Sequence, residues 1–325
     1  MRVRSLTVLK DVLLFLFLVF GLGYGLMLVA FARQQAEAPG GPAVTFSLLG
    51  LLFLLPSAAA FFARRASRTK GITSPRLWPI SWWKVLRIAA GVPLVFVVSY
   101  ALQAALGLVE PQWRMGTLIQ DLYATGAVPE PMPEQALKIL PAFSVTAFTV
   151  LSITLGATVL TLFALGTEWA WRGYLLPRLL PLGIARAHLI TGVLWGLWWL
   201  PLVWIVHKNT GSTESLPFLA LKFMLFAIAF GAVLGEIWRR TGEILLVAVA
   251  LGVFLGQLLS FWGYLFPVEW APWTGPFGLV STTVWLAVAR WSWLLVGTES
   301  APARASGLFV SADTPAGVAG TSVKG

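Results

Sequence analysis

Apolar runs of about twenty residues recur along this chain, and each is long enough to cross a bilayer as a helix. Lipid offers no partner to an unpaired backbone amide, so such runs are confined to helices that satisfy their own hydrogen bonds. Eight runs can be marked: Val12 to Ala32, Val44 to Ala63, Ile88 to Val109, Phe143 to Gly166, Ala187 to Val206, Leu216 to Trp238, Ile244 to Leu265 and Phe277 to Val296. The expected fold is an all-α polytopic membrane protein, a bundle of eight transmembrane helices. A membrane β-barrel would instead show short alternating segments. Only 11% of the residues are charged and the mean hydropathy is +0.82. A soluble domain carries about 25% charged residues.

The connections between the runs carry the charge. With the N-terminus on the cytoplasmic side, 18 of the 23 Lys and Arg residues fall in segments on that side, whereas the 13 acidic residues divide almost evenly. That asymmetry is what the positive-inside rule requires, and it places both termini in the cytoplasm of a cell whose inner membrane holds the bundle. The first run follows Arg2, Arg4 and Lys10 as a secretory signal would, and Ala36-Glu37-Ala38 resembles a cleavage site. A signal core spans about 7–15 residues, so this longer run reads as a retained span. Residues 1–298 form one membrane-embedded domain. Residues 299–325, rich in Gly, Ala, Ser and Thr, form a cytoplasmic tail expected to be disordered.

Several function classes fall away. The net charge of +10 is explained by topology, and no basic-aromatic RNA motif or helix-turn-helix pattern points to nucleic acid. There are no cysteines and only two histidines, His188 and His207, with no HExxH helix, so no metal or other cofactor is expected. A small transporter would show paired broken helices or mid-membrane charges. The expected partner is the bilayer itself. Three GxxxG pairs, Gly21–Gly25, Gly231–Gly235 and Gly252–Gly256, read as close helix contacts.

The residues that stand out are Glu168 and Arg172. Placed i,i+4 on a helix, they form an ion pair in the favourable order. Unpaired at mid-membrane each would cost about 2.5–3.5 kcal/mol, so facing one another is the cheap arrangement. Two readings stay open: a structural clamp at a helix end, or a carboxylate held in a partly dry site as a general base. His188 and His207 read as interfacial polar residues. Glu236, Arg239, Arg240 and Glu243 read as loop charges, with a polar cluster around Glu168 and Arg172 as the alternative. Trp195, Trp198 and Trp199 read as packing that also lines a pocket.

The wider stretch Gly166-Thr167-Glu168-Trp169-Ala170-Trp171-Arg172-Gly173-Tyr174-Leu175-Leu176-Pro177-Arg178-Leu179 resembles the first motif of the CAAX protease and bacteriocin-processing (CPBP, or ABI) family. That motif is Glu-Glu-x-x-x-Arg, commonly followed by Gly-Tyr-Leu-x-Pro-Arg-Leu. Trp195-Gly196-Leu197-Trp198-Trp199-Leu200-Pro201 is similar to the second motif, an aromatic then x-x-x-His before Leu-Pro. Thr241-Gly242 is similar to the Thr-Gly that precedes the third, His-x-x-x-Asn. The resemblance covers about residues 143 to 266. It implies an eight-span bundle and peptide hydrolysis within the membrane. In the family a glutamate and a histidine activate water, and a second histidine and an asparagine stabilise the oxyanion. In this chain the motif's first glutamate is Thr167 and its second is kept as Glu168. The second-motif histidine is Trp199, and the third-motif histidine and asparagine fall at Leu251 and Leu255. Threonine is no base, and tryptophan and leucine neither relay a proton nor hold a metal. The expectation is a protein on the endopeptidase scaffold, catalytic through Glu168 and Arg172 if at all. The alternative is an inactive homologue that binds a membrane-anchored or prenylated peptide, or regulates a partner membrane protein.

Overall fold

The structure is a computed structural model that describes residues 2–35, 41–67, 81–210, 214–267 and 272–296. Residues 36–38, most of the basic connection after the second run and the 299–325 tail lie outside the described residues. The described elements are α1 (Arg2–Gln35), α2 (Gly41–Ser67), α3 (Trp82–Ala105), α4 (Gly116–Ala124), α5 (Glu134–Leu155), α6 (Thr161–Ala170) and α7 (Leu176–Leu179), followed by α8 (Ile184–Thr210), α9 (Leu216–Thr241), α10 (Ile244–Leu258), α11 (Trp262–Leu265), α12 (Leu279–Arg290) and α13 (Trp293–Val296). All are helical, as the apolar runs require.

Among the described residues, six helical stretches are long and apolar enough to cross a membrane: Leu9–Arg33, Trp82–Ala105, Glu134–Leu182, Ile184–Ile205, Leu216–Thr241 and Ile244–Leu265. The 27-residue helix α2 carries the second run. The eighth run differs from expectation. Its helix α12 holds 12 residues and breaks at Trp291 before the short α13. At 1.5 Å per residue α12 is about 18 Å long, short of the roughly 30 Å hydrocarbon core.

The fourth run also differs. It was marked as ending at Gly166; the helical path instead runs from Glu134 to Leu182. A π-helical turn over Trp171–Leu175 precedes Pro177, which sits in the first turn of α7. A helix-initial proline lacks only a donor that would be unpaired anyway. The path ends at Gly183, whose φ of 99° suits a residue without Cβ. The motif therefore lies inside a helix rather than at its end.

Helix α10 is the most enclosed span, with 78% of its apolar window buried against 56% for α9. It is flanked by α3, α5 and α6, while α9 runs between α8 and α12. Two of the three GxxxG pairs serve close approach. A Cβ on Gly252 would meet Thr161 Oγ1 at 2.6 Å, and one on Gly256 would run into the backbone of Ser152. A Cβ on Gly231 would meet Arg172, and one on Gly235 would meet His188. Gly21 and Gly25 have nothing within 4 Å of an added Cβ; on α1 it is Gly23 that meets the Trp198 ring. The Gly21–Gly25 pair is therefore not a close contact, because the face of α1 that packs is the one carrying Gly23.

Candidate active site

The first motif begins where α2 crosses α6. Gly166 admits this crossing: a Cβ there would sit 2.5 Å from the Phe53 carbonyl oxygen, and Ser57 Oγ donates to the Gly166 carbonyl at 2.6 Å. Thr167 is fully buried, and its hydroxyl donates back to the Ala164 carbonyl at 2.9 Å. That bond occupies the hydroxyl's one donor within its own helix.

Glu168 and Arg172 have no exposed surface. Arg172 Nη1 donates to Glu168 Oε1 at 2.8 Å, an i,i+4 pair drawn inside the bundle. The guanidinium is held from two further helices. Its Nη2 reaches the Gly231 carbonyl of α9 at 3.4 Å, and its centre lies 4.8 Å from the ring centroid of Trp195 on α8. A desolvated cation over an indole face gains about 2 kcal/mol or more. Four helical turns thus converge on one charge pair, and the π turn that holds Arg172 is of the kind often found at functional sites. Glu168 Oε2 and Arg172 Nε are buried without a hydrogen-bond partner among the described residues.

Trp171, next to Arg172 in the chain, belongs to an aromatic cluster. Trp171 packs edge-on against Phe15 at 5.6 Å and against Trp198 at 6.2 Å. Trp198 is fully buried and donates from Nε1 to the Val19 carbonyl at 3.3 Å. Trp199, at the second-motif histidine position, is 9% exposed; it lies 4.5 Å from Trp198 and 5.4 Å from Phe53. Leu251 is buried, and Leu255 packs partly buried against the same core. Thr241-Gly242 makes the turn from α9 to α10: Gly242 takes φ 68°, and the Thr241 hydroxyl accepts from the Glu243 amide at 3.1 Å.

The structure brings Glu168, Arg172 and Trp195 together and links Trp198 with Trp199; Leu251 and Leu255 join the surrounding core through α10. The contributions of Phe15 and Val19 on α1 and of Phe53 and Ser57 on α2 were not anticipated. They come from well over a hundred residues away in the chain, and no local pattern announces them.

The second polar group was underread. Glu236, Arg239 and Arg240 are not loop charges but sit within α9. Arg239 clasps Glu236 through two bonds of 2.8 and 2.7 Å, Arg240 Nε lies 3.4 Å from Glu236 Oε2, and His188 Nε2 lies 3.5 Å from Glu236 Oε1. His188 is 7% exposed and faces α9 rather than an interface. The i,i+3/i,i+4 spacing of Glu236 with Arg239 and Arg240 was the available signal. Glu243 instead pairs with Lys84 of α3 at 3.4 Å.

Membrane-length helices gathered around a dry glutamate–arginine pair define a multi-pass membrane protein with an intramembrane polar site. Residues 147–255 match the family described as type II CAAX prenyl endopeptidase Rce1-like. The matched stretch holds the site from Thr167 to Leu255 and supports the resemblance to the CAAX protease and bacteriocin-processing family. No curated protein matches the sequence.

Proposed function

We propose that this chain is a catalytically silent member of the family, which keeps the scaffold and binds membrane-anchored peptides without cutting them. One observation carries the reading: the sole family carboxylate, Glu168, is fully buried and tied to Arg172 at 2.8 Å. A general base needs water within about 2.6–3.2 Å and a partner to pass the proton on. Here the partner positions hold Trp199, Leu251 and Leu255. An oxyanion needs donors aimed at it, and leucine has none. The protein then sits in the inner membrane with both termini cytoplasmic, and Glu168 with Arg172 acts as a clamp across α6, α8 and α9.

Retained hydrolysis is the second reading. The unpartnered Glu168 Oε2 favours it, because a buried carboxylate oxygen of this kind is a natural seat for one ordered water. The two readings separate on what happens to a bound peptide. Purified protein is mixed with prenylated and unprenylated peptides anchored in the same detergent micelles, and the retained species are weighed. The silent reading expects peptide retained at its full mass. Absence of retention ends the peptide-binding reading, and shortened peptide that disappears in Glu168→Gln ends the silent one.

A further inference from the structure

A cleft of about 400 Å³ opens between α8, α9 and α12, about one turn along α9 from the contact with Arg172, and it is lined by both charge and hydrocarbon. Its polar floor is His188 and Glu236; Arg239, Arg240 and Arg290 stand around it. The charges do not balance. Three guanidiniums face one carboxylate, and Arg239 already uses two of its donors on that carboxylate. Arg240 spends its Nε on the Ser292 hydroxyl at 2.8 Å, which leaves its two terminal amino groups without a hydrogen bond among the described residues. Arg290, exposed at the end of α12, has no ion pair or hydrogen bond among the described residues. The remaining lining is apolar, and Leu189 on the rim is 50% exposed on a membrane-spanning helix.

We propose that this cleft holds the headgroup of one anionic phospholipid. A phosphodiester supplies the missing negative charge and accepts from the free Arg240 and Arg290 donors, which pair well with phosphate in forked geometry. The acyl chains leave along the exposed Leu189 face, where hydrocarbon is the normal solvent. A soluble anion satisfies the same arginines but gains nothing from that face. Two other basic side chains of the same end, Lys84 and Arg87 of α3, have their own partners, with Lys84 on Glu243 and Arg87 over the Trp83 ring at 5.3 Å.

The test is lipid retention by the delipidated full chain, read by native mass spectrometry with phosphatidylglycerol and phosphatidylcholine of identical acyl chains. Phosphatidylglycerol is expected to be retained one per chain in preference to phosphatidylcholine. Arg290→Gln, which breaks no internal bond, should lower that occupancy roughly fivefold, the effect of one cation beside an anionic headgroup. Arg87→Gln, at the same end, should leave it unchanged. Equal retention of the two lipids, or an equal loss in both variants, overturns the site. Displacement of phosphatidylglycerol by glycerol 3-phosphate at matched concentration overturns the lipid as its occupant and assigns the arginines to a soluble phosphate.

Discussion

Two acid–arginine groups among the described residues have similar helical spacing and opposite surroundings. Glu168 and Arg172 are i,i+4 with no exposed surface on either side chain. Glu236 and Arg239 are i,i+3, and their side chains are 13% and 35% exposed at the edge of a cleft. Spacing on a helix therefore fixes that two charges meet. Whether they meet in the dry depends on what other helices bring. To the Glu168–Arg172 pair the chain brings Trp195 and the Gly231 carbonyl, both against Arg172; to Glu236 it brings His188 and an open cleft. The first group is sealed inside the bundle, whereas the second lines an open cleft.

The contrast can be broken in measurable ways. Glu168→Ala leaves Arg172 charged and buried without its partner, and should cost about 3–5 kcal/mol, seen as loss of thermal stability in detergent. The Glu168→Ala, Arg172→Ala double variant should cost less than the two singles together; strict additivity would remove the pair from the account. Gly192 lies on α8 between the two groups, where a Cβ would sit 2.7 Å from the Ile228 Cα. Gly192→Ala should therefore cost about 1–3 kcal/mol through backbone overpacking. Glu236→Gln, in its wetter setting, should cost about 1 kcal/mol or less. A loss as large as that of Glu168→Ala would erase the distinction between the two sites. Gly21→Ala on the unpacked face of α1 should be neutral or gain about 0.5 kcal/mol.

Much of the fold was legible because lipid imposes a simple rule on length and polarity. The apolar runs gave the long helices. The Glu168–Arg172 spacing gave the pair itself. Helix ends were less legible. Pro177 reads as a terminator unless one knows that a π turn precedes it, and the break at Trp291 within the last run has no proline or glycine to mark it. The site walls were illegible for a different reason. Phe53 meets Gly166, and Trp198 meets Val19, across separations that no local periodicity encodes. His188 was misjudged as interfacial because its neighbour Glu236 lies on another helix, although His188, Trp195 and Trp199 share one face of α8.

The central claim is that Glu168 clamps helices and no longer activates water. It is tested most directly by the hydrolysis rate of a quenched, membrane-anchored peptide library, measured side by side on the wild-type chain and on Glu168→Gln. The account predicts that neither shows turnover above the protein-free background. Turnover by the wild type that Glu168→Gln abolishes would contradict it.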